Sequence, residues 1–146
     1  MKAFHKYLEE DKNEIFFVAR ADSLPELFKE CALAVEGAAI STETVQPTEQ
    51  IKILGENTTA EGLLFDFLDE LFFFKDYKQL VFGDFDINVN EAAEKGDKFS
   101  FTCMAKGEKI HYVRHEPKAD IKSVDKKRFK LENTERGWKA QVLLKI

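Results

Sequence analysis

Beyond residue 78 the apolar residues of this chain recur at every second position, whereas before it short alternating runs take turns with two helical stretches. A period of two is the mark of a strand with one buried face. "LVFGDFDINVN" sets Phe85, Ile87 and Val89 on one face, and Gly83 interrupts it as a bulge would. "KFSFTCMA" aligns Phe99, Phe101, Cys103 and Ala105. "KSVDKKRFKLE" and "GWKAQVLLKI" flank "NTERG" as the arms of a hairpin. In the last of these Trp138, Ala140, Val142 and Leu144 share a face, so Lys145 points to the other. Between the alternating runs, "KGEKIHYVRHEPKAD" has broken periodicity and a proline, and reads as a long loop.

The front half opens with "EIFFVAR" (14–20), a strand with Ile15, Phe17 and Ala19 on one face and Glu14, Phe16, Val18 and Arg20 on the other. A helix follows, with Ser23 and Glu26 at capping-box spacing, Leu24, Leu27, Phe28, Cys31 and Val35 at helical spacing, and Gly37 as its stop. "EQIKIL" (49–54) is a second early strand. A second helix begins at Thr58, whose cap partner is Glu61, and carries a broad apolar face around Leu64, Leu68 and Leu71. The order is strand, helix, strand, helix, then four strands. That predicts a single α+β domain over 1–146: two layers, with a mostly antiparallel six-stranded sheet and two helices packed on one face. The two strand–helix units hint at internal duplication.

The chain is 44% hydrophobic and 34% charged, the balance of a folded domain rather than a disordered one. Its net charge of −5 argues against coating nucleic acid, so RNA contact requires a local basic patch. Fourteen Phe point to an aromatic core or an exposed aromatic surface. Cys31 and Cys103 lie far apart and form neither a metal pattern nor a disulfide framework. The N-terminus lacks the apolar stretch of a signal peptide, and no apolar run reaches membrane-spanning length. The expected location is cytoplasmic.

No glycine-rich phosphate loop, nucleophile elbow or Ser-His-Asp arrangement is present, and no catalytic residue is assigned. Cys31 and Cys103 read as core residues. His111 and His115 are four apart, but in a loop with Pro117 they read as hydrogen-bonding residues rather than metal ligands. Lys122, Lys126, Lys127, Arg128 and Lys130 form a basic patch, open to two readings: a solvated strand edge, or a contact for RNA or an acidic partner. Asp11, Glu14 and Asp125 fall at strand ends or in loops, and converging carboxylates can hold a hard divalent cation.

Several stretches resemble the archease family. "SLPELFKECALAV" and "EGLLFDFLDELFFFKD" are similar to its two helices, the latter followed by a strand of type "LVF". "RHEPKADIKSV" is the best-matched stretch, and "GWKAQVLLKI" has the family's Gly-Trp and closing strand. The resemblance implies an accessory role: helping a tRNA-splicing type of RNA ligase complete guanylylation and turn over, together with a divalent metal such as calcium or manganese. It also implies ligands from an Asp in a His-Thr-Ala-Asp motif, an Asp at the next-to-last position and the last residue.

Carried over from Ser23–Leu24, the motif's four residues fall on Asp11, Lys12, Asn13 and Glu14. Glu14 keeps a carboxylate. The second Asp falls on Lys145, an ammonium without a lone pair, and the last ligand on Ile146. Asp11 and Asp125 are further candidate ligands. His115 and Lys122 match the family's loop positions, and the usual Thr-Tyr-His is replaced by Asp125, Lys126 and Lys127. With Glu14 and Lys145 on the same non-core face, neighbouring strands would let the ammonium stand where the metal's charge would be. Phe16, Val18 and Leu143 share that face and form a candidate partner surface. The expectation is an archease-like accessory protein with an altered metal site. Its alternative is a divergent protein-binding module that has lost both metal binding and the ligase-activating role.

Overall fold

The computed structural model describes residues 2–92, 94 and 96–146. Seven strands and two α-helices lie among them, in the order β1 (Phe4–Glu10), β2 (Glu14–Ala21), α1 (Leu24–Ala39), β3 (Glu49–Asn57), α2 (Ala60–Lys78), β4 (Leu80–Asn90), β5 (Phe99–Lys109), β6 (Ser123–Thr134) and β7 (Gly137–Lys145). The class is α+β. The strands form two sheets rather than one, ordered β1-β2-β7-β6 and β3-β5-β4, with every neighbouring pair antiparallel.

The added strand is β1. Its residues are half-buried at best and its exposed positions include Lys6, Glu9 and Glu10, so it carries little hydrophobic signal. It is an edge strand, and charge on an edge protects it from pairing with other chains. Asp11 turns β1 into β2: its Oδ1 accepts from the Asn13 and Glu14 amides at 2.7 and 2.9 Å.

Each helix touches both sheets. Helix α1 packs on β1, β2 and β7 of the first sheet and on β4 of the second; α2 packs on β6 and on β3, β4 and β5. That explains their apolar breadth, since a helix between two sheets has little dry surface to spare for polar groups. The Ser23 Oγ accepts from the Glu26 amide and donates to the Glu26 carboxylate, so α1 starts as expected. It does not stop at Gly37 but runs on to Ala39. Gly37 serves a close approach instead: a Cβ there would stand 3.2 Å from the Tyr7 hydroxyl, which donates to the Ala34 carbonyl oxygen. Helix α2 is capped by Thr59, not Thr58; the Thr59 Oγ1 accepts from the Gly62 amide at 3.0 Å.

Phe67 on α2 joins the layers. It stacks on Phe28 of α1 at 5.9 Å and meets Phe101 of β5 and Phe85 of β4 edge-on. Such aromatic contacts add about 0.5–1.5 kcal/mol each beyond the area they bury. Cys31 and Cys103 are both buried and unpaired, and burial pushes the Cys103 thiol up to about 12, so it stays protonated. Strand β4 shifts register between Phe82 and Asp84, at Gly83. Strand β5 continues through Lys109, so the loop before β6 is shorter than the broken periodicity suggests.

Candidate functional site

Strand β7 lies between β2 and β6, and this brings distant parts of the chain into one row. In register, Lys145 is opposite Glu14 on one side and Ser123 on the other, with Asp125 opposite Leu143. The Lys145 Nζ lies 2.6 Å from Glu14 Oε2 and 3.6 Å from Asp125 Oδ2. An ammonium thus sits between two carboxylates from two different strands. Hydrogen bonding to Glu14, then the nearby Glu14 and Asp125 charges, raise the Lys145 pKa above its ordinary value. The Asp125 pKa is lowered, first by the Lys127 amide that donates to Oδ1 at 2.7 Å, then by the Lys145 and Lys127 charges. Asp11 is lowered chiefly by the Asn13 and Glu14 amides.

Ile146 adjoins this row, its amide donating to the Asn13 carbonyl oxygen at 2.9 Å, and the Lys122 amide donates to the Lys145 carbonyl oxygen at 2.8 Å. Asp11 and Ile146 also line a cleft of about 630 Å³ with Tyr7, Lys12 and Lys118.

These residues do not fit a divalent cation. A hard cation asks for several oxygen ligands around one point. Here an ammonium holds that point, and one Asp11 oxygen and one Asp125 oxygen already accept backbone amides. Among the described residues no group of three or more His, Cys, Asp or Glu side chains is arranged to hold a metal ion.

The apolar members of the face are mostly covered. Phe16 and Leu143 are 6% and 5% exposed, and only Val18 is half-buried. The expected exposed partner surface is therefore absent at Phe16 and Leu143. Over Phe16 the cover comes from a long irregularity in β6, where the register breaks between Asp125 and Lys130. Arg128 from that segment lies over the Phe16 ring, 3.8 Å from its centroid, and reaches Glu9. Lys126 and Phe129 pack on Phe65 of α2.

The loop 110–122 places Lys122 in solvent but encloses His115 completely. The His115 Nδ1 accepts from the His111 amide at 2.7 Å, which leaves the proton on Nε2 to donate to Glu108 at 2.9 Å. Arg114 grips the same carboxylate through both terminal nitrogens at 2.7 Å. The Gln46 amide adds a fourth bond. The Arg114 hydrogen bond, with the Gln46 and His115 bonds, holds Glu108 far below the usual carboxylate range. The two histidines thus meet through a backbone hydrogen bond. Glu108 and Arg114 escaped the sequence reading because 106–120 has broken periodicity and reads as one long loop, in which no spacing ties a carboxylate to the histidines.

The archease protein family (MTH1598/TM1083) matches residues 6–146 of this chain. Protein archease of Methanosarcina mazei is 34% identical over 142 residues, covering 97% of this chain and 95% of that protein. Protein archease of Pyrococcus furiosus is 33% identical, covering 84% of each. The solution structure of Methanobacterium thermoautotrophicum protein 1598 superposes with a TM-score of 0.82 at 27% identity, covering 97% of this chain and 98% of that one. The chain belongs to the archease family.

Proposed function

We propose that this protein is a non-catalytic accessory factor that promotes guanylylation and turnover of an RNA ligase of the tRNA-splicing type, in the cytoplasm. The observation that carries this reading is the near-complete mutual coverage with Protein archease of Methanosarcina mazei, on a matching fold. The loop 110–122 supports it. It is pinned from several sides, by Ser41 to the His115 carbonyl oxygen, by Lys118 to Ala39 and by Lys75 to the Ile121 carbonyl oxygen. A pinned loop offers a partner a surface that costs little to order on binding. His115, being enclosed, acts by holding this loop, whereas the exposed Lys122 is free to touch a partner or RNA.

The test is guanylylation and multiple-turnover ligation by the ligase from the same organism, with and without this protein. Faster guanylylation and more than one product per ligase are expected. No stimulation, together with co-purification of some other protein, would favour the second reading: a binding module without the ligase-activating role. That second reading draws on Lys145, which stands where the family resemblance implies an Asp.

A further inference from the structure

We propose that the Lys145 ammonium is a permanent, covalently tethered substitute for the divalent cation, so that the site between β2, β7 and β6 is complete without metal. The inference rests on family membership and does not require the ligase role.

Two observations carry it. First, the ammonium is held from both sides. Glu14 comes from β2 and Asp125 from β6, with their oxygens at 2.6 and 3.6 Å from the Nζ. An ordinary surface ion pair has one partner. Two carboxylates gathered around one point from separate strands repel each other unless a cation lies between them. Second, Lys145 is anchored where it is. Its backbone is paired with Glu14 on one side, and on the other its carbonyl oxygen accepts from the Lys122 amide. The ammonium therefore cannot drift off as an exchangeable ion does.

Lysine has no lone pair to offer while protonated, so it is not a ligand in its own right. A divalent ion can enter only by displacing it, and that breaks a short charge-assisted hydrogen bond. The charge balance differs as well. Two carboxylates and one ammonium leave one negative charge, where a divalent ion would leave none. The tethered version thus keeps the geometry of a bridged carboxylate pair while shedding dependence on metal supply.

The test uses the intact chain with manganese and calcium chloride as probes. Wild type should show no binding heat at millimolar ion, and its Tm should not move with either ion or with chelator. Lys145→Met should lower Tm, because Glu14 and Asp125 then face each other unscreened. Millimolar manganese or calcium, but not sodium chloride of equal ionic strength, should restore it. Lys145→Asp should bind manganese at least about tenfold more tightly than wild type. Wild-type binding as tight as that of Lys145→Asp would overturn the inference. So would a Lys145→Met protein whose Tm is unchanged, or one that divalent ions fail to restore. None of these measurements involves a ligase, so failure of ligase stimulation leaves the inference standing.

Discussion

His115 is fully enclosed and uses both ring nitrogens, one as acceptor and one as donor. Replacing it with Ala orphans the His111 amide and removes one bond of the Glu108 carboxylate. The Glu108 carboxylate keeps its Arg114 and Gln46 bonds, so the main polar loss is the acceptor of the His111 amide, and His115→Ala should cost about 1–3 kcal/mol in urea denaturation. Glu36 is the other buried polar residue with a consequence. It lies on α1, accepts from the Phe82 amide at 3.0 Å, and is pushed by burial from 4.5 up to about 8. Its folded pKa lies above its unfolded one, so the stability it contributes is full below about 4.5 and is lost as pH rises toward about 8. Glu36→Gln keeps the acceptor and removes the titration. The variant should therefore gain on wild type between those two pH values, as read by denaturation at a series of pH. At this scale the sequence was uneven. Strand alternation told which way Lys145 points, because that depends only on counting. Neither Glu36 nor Glu108 gave a sign, since burial of a carboxylate is decided by elements far away in the chain.

Strands β4 and β5 approach so closely that only glycine fits at one position. A Cβ on Gly107 would run into the Val81 carbonyl oxygen and the Phe82 backbone. Neither can give way without parting the strands. Gly107→Ala should therefore cost at least about 2 kcal/mol, the middle of the range for overpacked sites, with a matching fall in the urea midpoint. Most elements were legible because their periods were clean, as in β2, β5 and β7. The misses have local causes. Strand β1 is mostly exposed, and its Phe4, Tyr7 and Leu8 do not fall at a period of two. Helix α1 runs past Gly37 because Tyr7 requires a small residue there, a tertiary reason for a residue that reads as a helix stop. The cap of α2 shifted by one residue because Thr58 and Thr59 are both competent to cap, and only geometry chooses.

Across the whole molecule the two sheets are joined through the helices rather than to each other. Damage in one should therefore reach the other. In Gly107→Ala, whose lesion lies in the second sheet, hydrogen-exchange protection should fall in β2 and β7 of the first as well as in β4 and β5. Protection lost in the second sheet alone would mean that the two unfold as separate units. The division into two sheets was not readable from the sequence, since alternation tells which face of a strand is buried but not which strand it pairs with. The pairing of Glu14 with Lys145 also joins positions 131 residues apart. Contacts so distant in the chain are the slow ones to form, because the intervening loop must be closed first. During synthesis, β2 and β6 have no common neighbour until Gly137–Lys145 has left the ribosome. The row of charges at their junction therefore forms only when β7 is in place between them, so a partner that reads that row reads the docking of β7 as well.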